Sequence, residues 1–185
     1  MIHKKFFGEK AEKVTPANLG EALQQAIEIE IATIPTYLFT YYSINRAPSQ
    51  QQMISSLTHA LLEIKTETPY NFDQATALAL DLSAEVMVFA NKAGALIMSV
   101  AIEEMLHMAL SSNLKQAVAG MPILNGRSPA TWPAELPGHQ PSLKINTSRL
   151  SMKQLETFLN IEKPMKPKQK DKLLLKAYIP YPTIG

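Results

Sequence analysis

A chain of 185 residues with 46% hydrophobic and 18% charged residues is the size of one domain and can fill a core. That composition excludes an intrinsically disordered protein, and a formal charge of +2, from 18 basic and 16 acidic residues, lacks the concentrated basic face of a nucleic-acid-binding protein. The absence of cysteine excludes disulfides, thiolate metal sites, iron–sulfur clusters and cysteine nucleophiles, so a metal here has carboxylates and imidazoles for ligands.

The N-terminus, Met1 to Gly8, has basic residues but no apolar stretch long enough for a signal peptide. The longest uncharged apolar run, Ala93 to Ile102, is ten residues, well short of the roughly 20 that span a bilayer. A soluble cytoplasmic protein with no membrane or nucleic-acid partner is expected. Nine of the 13 prolines lie after residue 120, so the first two thirds can be helical and the last third mostly irregular.

The first predicted helix starts with Thr15 as cap and Pro16 in the first helical position, where a missing N–H costs nothing. Leu19, Leu23, Ala26, Glu30, Ile34 and Tyr37 then recur at helical spacing, and Pro35 is expected to kink the helix without ending it. After a loop around Arg46 to Ser49, Ile54, Leu57, Leu61 and Ile64 mark a second amphipathic stretch that stops before Pro69. A third helical run begins near Phe72 and continues to about Ala119, with a break or bend expected at Asn91 to Gly94. Gly120 and Pro122 end it. A proline-rich connector, Met121 to Pro141, precedes a short strand at Leu143 to Asn146 and a short helix from Ser151, opened by a capping box, to about Asn160. The lysine-rich segment Lys163 to Lys176 reads as solvated surface.

The chemistry concentrates in two of these helices. Glu104 and His107 stand three residues apart, in the register Ile97, Val100, Glu104, His107, Ser111, Leu114. Burying an unpaired carboxylate costs several kcal/mol, and Glu-x-x-His is the spacing that carboxylate-bridged di-iron bundles use. On the first helix the register Leu23, Ala26, Glu30, Ile34, Tyr37 again sets one carboxylate in the apolar stripe, while Glu28, Glu21, Gln24 and Gln25 fall on the outer side. Two long helices thus present Glu30, Glu104 and His107 inward, half of a di-iron ligand set. No second Glu-x-x-His exists: His59 and Glu63 sit in a polar register and face solvent, His3 lies in the N-terminal segment and His139 in a proline-rich loop. Carboxylate plus imidazole suits iron, or manganese. The alternative is a buried Glu–His hydrogen bond without metal. Tyr37, Tyr41 and Tyr42 read as packing residues with hydroxyls at the wet end of the helix, and the methionines as core filler.

The segment Ala26 to Leu38 (AIEIEIATIPTYL) resembles the opening helix of the ferritin-like family that includes the domain of iminophenyl-pyruvate dimer synthases, and Ser99 to Met108 (SVAIEEMLHM) resembles its second. Gly120-Met121-Pro122, Phe158 to Pro164 and Pro182 to Gly185 match in order, and residues 50–90 read as a helical insertion within a single domain spanning 1–185. The resemblance implies a mainly α, up-down helical bundle with a proline-rich irregular C-terminal third, incomplete in this chain because family members continue past Gly185 into further ligand-bearing helices. It implies Glu30, Glu104 and His107 as metal ligands, a di-iron cofactor and oxygen activation on a small aromatic or amino-acid-derived metabolite. The rest of the site would come from a homodimer or a partner chain. A ferroxidase or iron-binding protein and a metal-free helical interaction module are the alternative readings.

Overall fold

The computed structural model describes residues 6, 12–65, 67–124, 129, 131–136 and 143–163. Four helices and one small sheet follow in the order α1 (Leu19–Tyr42), α2 (Gln50–Glu63), α3 (Phe72–Ala119), β1 (Ala134–Leu136), β2 (Leu143–Ile145) and α4 (Met152–Ile161). The expected mainly α bundle is therefore present. His3, His139 and the lysines beyond Lys163 lie outside the described residues.

Local chemistry accounts for most boundaries. Ser49 and Asn71 each form a complete capping box, with Gln52 and Gln74. Ser151 caps α4 by accepting from Gln154 N–H, but the Gln154 amide donates to the Asn146 carbonyl, so only half the expected box forms. The start of α1 is corrected: Thr15 and Pro16 lie in a turn closed by Asn18 N–H on the Thr15 carbonyl, and the Asn18 side chain accepts from Thr15 N–H. The helix then begins at Leu19. Pro35 sits inside α1 as expected. No interruption occurs at Asn91 to Gly94; α3 is helical throughout its 48 residues, because Gly94 is buried against the Arg46 side chain and tertiary packing outweighs its low helix propensity. Gly120, at φ 84°, ends α3 in a backbone conformation that favours glycine.

Helices α1 and α3 run antiparallel, since Gly20 meets Ala119 at one end and Arg46, just past α1, meets Gly94 at the other. The buried face of α1 is rich in threonine: Thr33, Thr36 and Thr40 are all enclosed, and the Thr36 and Thr40 hydroxyls donate to the carbonyls of Ala32 and Thr36. The two-stranded antiparallel sheet, Ala134 opposite Ile145, packs Ala134, Leu136 and Ile145 on Ala32; β1 arises in the connector that was expected to be irregular. The amphipathic α4 inserts Phe158 beside Tyr37, Ile97 and Ala101, with the Phe158 and Tyr37 rings 4.4 Å apart.

One face of α3 has no cover among the described residues. Leu96, Ile102, Leu106, Leu110, Leu114 and Val118 are all exposed, and α3 is the one described helix long and apolar enough to cross a membrane by length and composition.

The close approach at Gly20 is testable. An added Cβ would stand 2.6 Å from that of Ala119, and such overpacking costs about 1–3 kcal/mol against at most about 1 kcal/mol of gained helix propensity. Gly20→Ala is expected to lower the melting temperature by a few degrees; an equal or higher value would show that the helix ends separate without penalty.

Candidate metal centre

Glu30, at mid-helix in α1, faces Glu104 and His107 on α3, and the three offer ligand atoms that all lie within 4.8 Å of one another. These are the three residues singled out from the sequence. The register places them unequally, however. Glu104 is buried, while the His107 side chain is 53% exposed, because His107 lies at the edge of the seam and Leu114, expected on the same stripe, faces outward. The seam runs instead through Ile97, Ala101, Glu104 and Lys115.

Each carboxylate has a distinct environment. Thr33 donates its hydroxyl to Glu104 Oε2 at 2.7 Å, fixing one oxygen, while Oε1 stands 3.6 Å from His107 Nδ1. Glu30 Oε2 is buried with no hydrogen-bond partner among the described residues. Burial above all pushes the Glu30 carboxyl up to about 9, helped by its hydrogen bond to Glu104 and by the charges of Glu104 and Glu162. In the metal-free protein Glu30 accordingly holds its proton at neutral pH, the ordinary solution for two carboxyls in one site. An orphaned carboxylate oxygen beside a second carboxylate and an imidazole fits a cation such as iron, which would replace that proton and satisfy the bare oxygen.

Two further residues belong to this centre. Tyr37, expected to keep its hydroxyl at the wet end of α1, is 1% exposed and donates to Glu162 Oε1 at 2.6 Å. Burial and this carboxylate, with Glu104 and Glu30 nearby, hold its phenol far above the usual range. Glu162 caps the C-terminal end of α4, where the helix dipole disfavours an acid. That misplaced charge was the available signal in the sequence, and it went unread as chemistry. Tyr41 accepts from Arg46, whose guanidinium lies over its ring, and Tyr42 is exposed. His59 and Glu63 are exposed, as expected. Glu28 is half-buried and Gln25 buried, against the expectation that both face outward; Gln25 is enclosed where Phe6 N–H donates to its side chain.

The pH dependence of folding reports on this proton. Folded, metal-free Glu30 keeps its proton up to about pH 9, whereas the unfolded chain releases it near 4.5. Between these values the folded state holds the extra proton, so stability falls as pH rises. Urea midpoints of chelator-treated protein should decline from pH 5 to about pH 9. Glu30→Gln, neutral throughout, should show a flatter profile; identical slopes in the two proteins would rule out a strained pair.

Comparison with known proteins adds the family. A family model described as ferritin-like matches residues 23–184, a span that contains Glu30, Tyr37, Glu104, His107 and Glu162. No curated protein and no solved structure matches the chain. With helices α1 and α3 pairing carboxylates across their seam, and a family match over most of its length, the chain belongs to the ferritin-like family.

Proposed function

We propose that this protein is a non-haem di-iron carboxylate oxidoreductase that activates O2 on a small metabolite, with Glu30, Glu104 and His107 as metal ligands. The observation that carries this reading is the pairing of half-buried Glu30 with buried Glu104 beside His107, with the enclosed Glu30 Oε2 unpartnered among the described residues. Bound iron would supply the oxygen chemistry that side chains lack; manganese suits the same donors. Thr33 donates to Glu104 and holds it in place, and the Tyr37–Glu162 hydrogen bond lies on the α4 side of the centre. The half-exposed His107 leaves the opposite side open to small molecules. The sequence resemblance to the iminophenyl-pyruvate dimer synthase domain favours an aromatic or amino-acid-derived substrate.

Glu30, Glu104 and His107 make half of a di-iron ligand set. A second copy of the chain supplies the rest in this reading: a twofold pair brings four carboxylates and two imidazoles together. The exposed Leu106, Leu110, Leu114 and Val118 support it, since this unpartnered face lies on the ligand-bearing half of α3. A bilayer fits that face less well. A span through Ala93 to Leu110 would set the exposed Glu103 in hydrocarbon, at about 2.5–3.5 kcal/mol.

Anaerobic loading with Fe(II) followed by oxygen uptake tests the proposal. Wild type should consume O2, and Glu104→Ala should lose at least 90% of that uptake while remaining folded. Uptake beyond the Fe(II) added, in the presence of a reductant and an aromatic amino acid, supports an oxidase; uptake that stops with the iron assigns a ferroxidase instead. Sedimentation should show a dimer with about one iron per chain, and a monomer without iron would favour a helical interaction module.

A further inference from the structure

A second cavity, of about 670 Å³, lies where the start of α1 meets the end of α3, and none of Glu30, Glu104 and His107 lines it. It exists because the chain turns back after Gly120. Gln24 clamps the returning segment in both directions, donating to the Ile123 carbonyl at 3.0 Å and accepting Ile123 N–H at 2.9 Å. Lys115 holds the preceding carbonyl, that of Met121, at 3.0 Å. Gly20 and Ala119 bring the helices close enough to form the floor.

The wall chemistry is specific. Phe6, Val118 and Ile123 give an apolar body. Two polar side chains on the lining are more than nine-tenths buried: Lys115 and Gln25, at 9% and 2% exposure. An ammonium has three N–H donors, and only one from Lys115 is engaged by a described hydrogen bond. The Gln25 side-chain oxygen is used by Phe6 N–H, but its Nε2 has no partner among the described residues. A buried amide donor left unmade costs stability, and both residues are polar where a leucine or methionine would pack. Glu21 and Glu28 also line the cavity, and Lys115 is the one cation on its described lining, so it matches a single carboxylate.

We propose that this cavity is a binding site for a small monocarboxylate with an apolar body, its carboxylate taken by Lys115 Nζ and Gln25 Nε2. A charge-assisted bond from Lys115 and a bond from an otherwise unpaired amide form together only when such an acceptor is present. The site is separate from the metal centre and does not depend on the metal reading.

Calorimetric titration of the full chain with hexanoate, hexanamide and adipate tests it. Hexanoate should bind at least tenfold more tightly than the neutral amide or the dianion. Lys115→Met should weaken hexanoate at least tenfold and Gln25→Leu about fivefold. Melting temperature separates binding from folding: ligand-free Gln25→Leu should melt no lower than wild type apart from the loss of one bond to Phe6, and a fixed concentration of hexanoate should raise the melting temperature of wild type and His107→Ala more than that of Lys115→Met or Gln25→Leu. His107→Ala should bind hexanoate as wild type does. Absence of binding, equal affinity for hexanoate and hexanamide, unchanged affinity in Lys115→Met, or loss of binding in His107→Ala would each overturn the proposal, the last by moving the carboxylate to the metal centre.

Discussion

The contact between Glu30 and Glu104 sets the terms for the rest of the molecule. Two carboxyls enclosed between α1 and α3 repel when both are charged, by about 4 kcal/mol at a separation of about 4 Å in surroundings of intermediate polarity. The protein holds them together nonetheless, with Thr33 anchoring one oxygen and α1 and α3 in continuous contact on either side. Packing that yields no hydrophobic gain at its centre is maintained by what surrounds it: the threonine-lined face of α1, the small sheet on Ala32 and the Phe158–Tyr37 contact from α4. In the metal-free state a proton relieves the conflict, raising the Glu30 carboxyl to about 9; a cation relieves it better.

The surroundings of the pair differ on its two sides. On the α4 side the buried Tyr37 hydroxyl donates to the exposed Glu162, so α4 acts as more than a cover for apolar surface. The other side opens past His107 onto the row of leucines on α3. An exposed apolar face on α3 beside His107, without cover among the described residues, is what supports the proposed second copy. Neither the face nor its position alone would carry that argument, since single exposed leucines are ordinary.

How far the sequence could be read depends on how local each determinant is. The helical bundle, the capping residue Ser151 and the short strand at Leu143 are local, and periodicity and capping chemistry revealed them. Glu30, Glu104 and His107 were legible because a carboxylate inside an apolar stripe is conspicuous. The misread features are non-local. Gly94 stays helical because the distant Arg46 packs on it. Strand β1 forms only because β2 pairs with it. Gln25 is buried by Phe6, nineteen residues away, and Glu162 reaches Tyr37 across 125 residues. Long-range partners leave no spacing in the sequence, although an acid at the end of α4 was a visible anomaly.

The most direct test of the central claim is a crystal of the chain grown with Fe(II) and measured at the iron absorption edge. The structure predicts an anomalous peak within bonding distance of Glu30, Glu104 and His107, absent from crystals of Glu30→Gln grown in parallel. Iron bound elsewhere, or a wild-type centre that keeps its protonated carboxyl pair in the presence of excess metal, would contradict it.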